Sequence, residues 1–227
     1  MEVFNAGRFY WVADNVIGAD FPEVSSALRN PDGLLAIGGD LEPATLLTAY
    51  RRGIFPWYSE GQPLLWWSPD PRCVLEPDQV RINRSLARTL KRNTFKVSFN
   101  QAFADVVRGC SAPRGDDTGT WITTDMAAAY LRLHHLGHAL SCECWHESEL
   151  AGGLYGVVIG KVFFGESMFS RKTDASKVAL VRLAQLLRQR RFRLIDCQIH
   201  SPHLERLGAK SMARDDFVGI LKHYCSR

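Results

Sequence analysis

The sequence lacks any apolar run approaching the roughly 20 residues needed to span a bilayer. Residues 1–20 contain neither a basic leader region nor a continuous apolar segment of the kind that directs secretion. A cytosolic protein without a membrane partner is the expectation. The six cysteines, Cys73, Cys110, Cys142, Cys144, Cys197 and Cys225, form no Cys-x-x-Cys pair and no zinc spacing. In a cytosolic chain, reduced thiols packed into the core follow. There is no phosphate-binding P-loop, no Gly-x-Gly-x-x-Gly turn opening a helix and no Gly-x-Ser-x-Gly elbow, which disfavours ATP chemistry and serine hydrolysis. His134 and His138 share a helix face beside His135, yet no third ligand stands at a recognisable spacing. A solvated helix end accounts for them, and no metal is expected.

Acids are missing from two stretches. None occurs between Asp78 and Asp105, a window that holds Arg81, Arg84, Arg88, Lys91, Arg92 and Lys96. None occurs over 175–195, which carries Lys177, Arg182, Arg188, Arg190, Arg191 and Arg193. The net charge of the 227-residue chain is only +4, so the basic excess is local, as an anion-binding surface requires. Hydrophobic residues at 46% and charged residues at 23% exclude a disordered or fibrous chain.

Turn signals at Asn30-Pro31-Asp32-Gly33 and Gly38-Gly39-Asp40 punctuate the first third. A short helix is predicted over 43–52, stopped by Gly53 and Pro56. Ser68-Pro69-Asp70-Pro71 cannot be helical and marks a domain boundary, giving a small N-terminal α+β domain over 1–71 and a second domain over 72–227. Helices are predicted over 84–92, 101–108 and 125–136, with Asn100 and Thr124 as N-caps and Gly109 and Gly137 as C-terminal stops. Strands follow over 139–145 and 152–159, and a Gly160-Lys161 turn leads into a strand over 162–169. An amphipathic helix over 175–188, a strand over 194–199 and two short helices near 203–207 and 215–224 complete an α+β, acyltransferase-like order.

Arg84, Arg88, Lys91 and Arg92 fall on one helical face. Four like charges there destabilise a helix unless an anion offsets them; a plain solvated face usually interleaves acids, and here there are none. Nucleic-acid contact and a solvated face are the two readings. In 194–199 (Leu-Ile-Asp-Cys-Gln-Ile), period-two alternation directs Asp196 and Gln198 to one side. A carboxylate and an amide in an apolar strand need hydrogen-bond partners, supplied either by a neighbouring loop or by a substrate amine or hydroxyl. Glu166 sits among Phe163, Phe164, Met168 and Phe169, where it either pairs with an arginine or faces a pocket for an apolar group.

Taken together, 33–41 (Gly-Leu-Leu-Ala-Ile-Gly-Gly-Asp-Leu), 52–57 (Arg-Gly-Ile-Phe-Pro-Trp), 65–72 (Leu-Trp-Trp-Ser-Pro-Asp-Pro-Arg), 119–123 (Gly-Thr-Trp-Ile-Thr), 164–170 (Phe-Gly-Glu-Ser-Met-Phe-Ser) and 194–198 (Leu-Ile-Asp-Cys-Gln) resemble the bacterial leucyl/phenylalanyl-tRNA–protein transferase family. The resemblance implies a small N-terminal α+β domain joined to a GNAT-like acyltransferase domain. It implies transfer of Leu or Phe, and Met less well, from aminoacyl-tRNA to an N-terminal Arg or Lys of a protein, which creates a degradation signal. By the same resemblance Asp196 and Gln198 are the catalytic pair. Trp57 and Trp121 bind the aminoacyl-adenosine end, Glu166 is a polar site residue, Met168 lies near the apolar pocket, and Arg84, Arg88, Lys91 and Arg92 bind tRNA. The ester is already activated, so no cofactor is implied. The chain departs from some members at Ser201, where they carry Asn, and lacks a longer C-terminal tail. An acetyl-CoA-dependent acetyltransferase and a non-catalytic RNA-binding protein are the alternatives; the first lacks a glycine-rich pyrophosphate loop before residue 175, and the second leaves Asp196 and Gln198 unexplained.

Overall fold

The computed structural model describes residues 10–12, 20–113 and 120–225. Gly119 of the family strings, and residues 1–9 and 13–19 of the N-terminal segment, lie outside them. The chain is α+β. Strands β1 (Tyr10–Val12), β2 (Leu34–Gly38), β3 (Phe55–Pro56) and β4 (Leu65–Trp67) form a four-stranded sheet in the order β1-β2-β4-β3, with α1 (Pro43–Arg51) between β2 and β3. Pro43 starts α1 at a position where its missing N–H is no loss.

The second sheet begins as soon as the Pro-rich connector ends. It comprises β5 (Arg72–Leu75), β6 (Lys96–Phe99), β7 (Ala139–His146), β8 (Glu149–Ile159), β9 (Val162–Ser170), β10 (Leu194–Gln198) and β11 (Lys210–Met212), in the order β11-β5-β10-β9-β8-β7-β6. Helices α2 (Arg84–Arg92), α3 (Phe103–Ser111), α4 (Thr124–His135), α5 (Ala175–Gln189), α6 (Pro202–Arg206) and α7 (Arg214–Tyr224) complete it. Within this sheet only β9 and β10 pair in parallel, as the long crossover through α5 allows; its other neighbours are antiparallel.

Alternation along β9 sorts the core onto two faces. Val162 and Phe164 join a cluster with Leu46, Tyr50, Ile54 and Trp66 from the first sheet's region, while Phe163 joins Val178, Leu180 and Leu187 of α5. The first of these clusters runs without a break from the small sheet to the large one. At the β8–β9 hairpin, Gly160 has φ +56, and a Cβ there would collide with the Tyr224 carbonyl oxygen, so the turn and the C-terminal helix both require glycine.

Several local expectations change. Short strands β5, β6 and β11 were not among the predicted elements. The third helix runs 103–111 rather than 101–108: Asn100 has φ 58, and its side chain accepts the Ser141 N–H at 3.0 Å instead of capping a helix. Gly109 lies inside that helix and does not stop it; a Cβ there would meet the Phe169 ring at 2.6 Å, which is why the position is glycine. Thr123, not Thr124, caps α4 by accepting the Met126 N–H. Ser201 caps α6 in the same way, accepting the Leu204 N–H at 3.2 Å. His134 stacks on Phe103 with centroids 4.1 Å apart, and its Nδ1 contacts the Ala139 carbonyl. The six cysteines are free, five of them buried. Among the described residues, no helix is long and apolar enough to cross a membrane.

Candidate active site

Pairing between β9 and β10 covers three rows, ending at Asp196 opposite Phe164. Beyond that row β9 continues against β8 as far as Ser170, and β10 leaves it. On its other side β10 pairs with β5 through a bulge between Asp196 and Gln198, and Gln198 takes φ 56. The bulge breaks the period-two pattern read from the sequence, since an extra residue re-aims the side chains after it. Asp196 therefore does not share a face with Gln198. Cys197 and Gln198 both line the cavities that open where the strands part, and Asp196 lines neither.

Two cavities meet at this point. One is walled by Leu154, Phe163, Met168, Leu180, Ile195 and Leu204. The other is walled by Phe55, Pro56, Trp57, Trp121 and Ile199. Glu166, Cys197 and Gln198 belong to both. Trp57 is braced from behind, where its carbonyl accepts the Trp67 indole N–H at 2.6 Å, and the two rings meet edge to face. Tyr58 and Thr123 exchange a hydrogen bond at 3.2 Å that ties the Trp57 segment to the Trp121 segment.

Glu166 is bound by tyrosines and not by an arginine. Its Oε1 accepts the Tyr50 hydroxyl at 2.7 Å and its Oε2 accepts the Tyr130 hydroxyl at 2.5 Å. The two hydroxyl oxygens are 2.9 Å from each other. The Gln198 amide Nε2 donates to Glu166 Oε1 at 3.4 Å. Burial pushes the Glu166 carboxyl up to about 7, against the lowering effect of the two hydroxyls. Burial also raises Tyr50, Tyr130 and Tyr155, so these phenols stay protonated.

Asp196 sits one layer behind, fully buried. Arg72 Nε and Nη2 donate to its two oxygens at 2.8 and 2.7 Å. The guanidinium also donates to the Gly53 carbonyl at 3.0 Å and lies over the Phe55 and Phe217 rings. Asp196 Oδ1 accepts the Gln198 backbone N–H at 3.0 Å. Its connection to the cavities therefore runs through the Gln198 backbone.

Trp57 and Trp121 thus line one cavity and Met168 the other, Glu166 and Gln198 line both, and Asp196 adjoins them. Arg84, Arg88, Lys91 and Arg92 stand apart on the exposed side of α2, whose only buried side chain is Leu86. Asn83 caps α2 by accepting the Leu86 N–H, and the Thr89 hydroxyl donates to Asp174 at 3.0 Å, anchoring the helix before α5. Sequence reasoning missed Tyr50, Tyr130, Arg72 and Cys197. Arg72 carried a signal: an arginine heading the apolar run Cys73-Val74-Leu75 needs a buried acid, and Asp196 needs a buried base.

The family described as leucyl/phenylalanyl-tRNA protein transferase matches residues 74–222, and its N-terminal domain matches 39–70. The leucyl/phenylalanyl-tRNA–protein transferase of Azoarcus sp. (strain BH72) is 56% identical over 214 residues, covering 94% of this chain and 90% of that protein. That of Stutzerimonas stutzeri (strain A1501) is 55% identical, covering 91% and 92%. Among solved structures, a GCN5-related N-acetyltransferase from Kribbella flavida is 8% identical with TM-score 0.39, covering 75% of this chain and 61% of that one. L-PGS from Bacillus licheniformis is 11% identical with TM-score 0.41, covering 74% and 56%.

Proposed function

Because this chain belongs to the leucyl/phenylalanyl-tRNA–protein transferase family, we propose that it moves leucine or phenylalanine, and methionine less well, from aminoacyl-tRNA to the α-amine of an N-terminal Arg or Lys of a protein. The product would carry an N-terminal degradation signal in the cytoplasm. The observation that supports this most is the shared wall of Glu166, Cys197 and Gln198 between an apolar cavity and an aromatic-walled one. An aminoacyl ester has those two halves, an apolar side chain and a nucleoside, with the reactive carbonyl between them.

In this reading the donor side chain enters beside Met168, and the adenosine lies between Trp57 and Trp121. Arg84, Arg88, Lys91 and Arg92 hold the tRNA body through its phosphates. Asp196 and Gln198 are the catalytic pair with unequal parts. The Gln198 carbonyl oxygen accepts a hydrogen bond from the attacking amine, while Asp196 fixes the Gln198 backbone. No cofactor is needed, since the ester is activated and holding two reactants together supplies on the order of 7–11 kcal/mol in favourable cases. The small domain over 1–71 supplies Trp57 and Tyr50, and the GNAT-like domain over 72–227 supplies the rest.

The test is transfer of labelled leucine from charged tRNA to a peptide beginning with Arg. Product with leucine joined to the peptide α-amine is expected. Absence of transfer from both leucyl- and phenylalanyl-tRNA would overturn the reading.

A further inference from the structure

We propose that Glu166, set in a ring with Tyr50 and Tyr130, is the base that takes the proton lost by the attacking α-amine and returns it to the leaving ribose oxygen. The proposal deepens the reading above and rests on it, because the two cavities must hold the ester and the amine.

Two carboxylates stand near the joined cavities, each with both oxygens hydrogen-bonded, and only one of them lines the cavities. Both oxygens of Asp196 are taken by Arg72, one of them accepts the Gln198 N–H as well, and its side chain lines neither cavity. Glu166 lines both. Gln198 can orient an amine through its carbonyl, but an amide is too weak a base to remove the proton.

A proton inventory points the same way. Tyr50, Tyr130 and Glu166 make three O···O contacts, of 2.9, 2.7 and 2.5 Å. Two phenols bring two protons, so an ionised Glu166 leaves one contact without a hydrogen. One more proton, placed on the carboxyl, closes the ring. The ring is built to receive a single proton and to hold it at a site both substrates reach. A carboxyl that titrates near the operating pH suits both halves of the exchange.

The step balances. The amine nitrogen forms its bond to the ester carbonyl carbon, and its proton passes to Glu166. The bond from that carbon to the ribose oxygen then breaks, and the oxygen leaves with the proton from Glu166. The groups facing Glu166 are Tyr50 from α1, Tyr130 from α4, Tyr155 from β8, Asp196 and Gln198 from β10, and Arg72 from β5. Tyr155 is buried, and its hydroxyl has no hydrogen-bond partner among the described residues. It faces the carboxylate without sharing its proton.

The experiment is single-turnover transfer of leucine from charged tRNA to an Arg-initiated peptide across pH 5.5 to 9, with donor binding measured on each variant. Glu166→Gln should lower the rate by about a hundredfold or more at neutral pH while leaving donor affinity in place. Tyr50→Phe and Tyr130→Phe each remove a donor to the carboxylate. Each should move the acid limb of the rate upward by on the order of one pH unit, with the rate recovering at high pH. Recovery with pH is a signature that a merely loosened fold does not produce, and the phenylalanine variants keep the test open if Glu166→Gln fails to fold. A near-normal rate for Glu166→Gln, or an unmoved acid limb in both phenylalanine variants, would overturn Glu166 as the base. Failure of the unaltered protein to transfer at all would instead overturn the functional reading beneath it.

Discussion

Arg72 and Asp196, 124 positions apart, meet in a two-point fork whose side chains are 1% and 0% exposed. The fork joins the first strand after the connector to the strand that carries Gln198. Burying both ions carries a large desolvation penalty, offset because each guanidinium nitrogen and each carboxylate oxygen has a partner. Such a pair fixes geometry more than it adds stability.

Removing one member should therefore be far worse than replacing both. Arg72→Ala is expected to lower unfolding free energy by about 3–5 kcal/mol, since it strands a buried carboxylate. Asp196→Asn should also destabilise, so its effect on transfer must be read beside its melting curve. Urea unfolding of Arg72→Ala, Asp196→Leu and the Arg72→Met/Asp196→Leu pair checks this. A double variant less stable than either single one would contradict it.

Glu166 makes stability depend on pH in a direction unlike that of a surface acid. Its folded value of about 7 lies above the ordinary 4.5, so the folded state binds the proton more tightly than the unfolded chain. Stability should be highest below about 4.5, as far as this group is concerned, and fall as pH rises to about 7, by at most about 3 kcal/mol. Glu166→Gln should remove that slope. Relative to the unaltered protein it should be more stable at pH 8 than at pH 5, and parallel stability curves across this range would refute the assignment.

On the basic face, Arg88→Glu combined with Arg92→Glu should weaken tRNA binding and flatten its salt dependence, by about 0.7–0.9 in slope for each phosphate that is no longer neutralised. Transfer from an aminoacyl-adenosine fragment should be spared, because α2 lies outside both cavities. An unchanged salt titration would remove α2 from the tRNA surface.

The apolar cavity should discriminate by shape. Walled by Met168, Leu180, Leu204 and their neighbours, it should accept Leu, Met and Phe over β-branched Ile and Val by about 1–3 kcal/mol. The check is competition between leucyl and isoleucyl donors below saturation. Equal efficiencies would mean that the cavity does not receive the side chain.

Periodic signals are legible in the sequence. The basic face of α2 and the apolar stripe of α5 each repeat over two or more turns, and the β8–β9 hairpin announces itself by Gly160 between apolar runs. Strands β5, β6 and β11, of three or four residues, are too short to carry a period and gain their identity from neighbours distant in sequence. Gly109 resembles a stop because glycine usually ends a helix; the Phe169 ring that requires it lies 60 positions away. Trp57, Trp121, Met168 and Glu166 were legible through the family strings, whereas the tyrosines that hold Glu166 sit in ordinary helices as apparent core. The bulge at Cys197 is a property of pairing with β5, and no local pattern in 194–199 encodes it.

The position of β10 has a consequence for the order in which the chain is made. In the large sheet it lies between β5 and β9, yet it is synthesised about 120 residues after β5. The four strands from β6 to β9 can pair as they emerge, while β5 has no neighbour in the sheet until 194–198 and 210–212 have been made. Arg72 likewise waits for its carboxylate, with only the Gly53 carbonyl and the Phe55 ring made before it. The large sheet closes last at the seam where the two cavities meet, so until β10 is made the other cavity walls and the basic helix stand without Cys197 and Gln198.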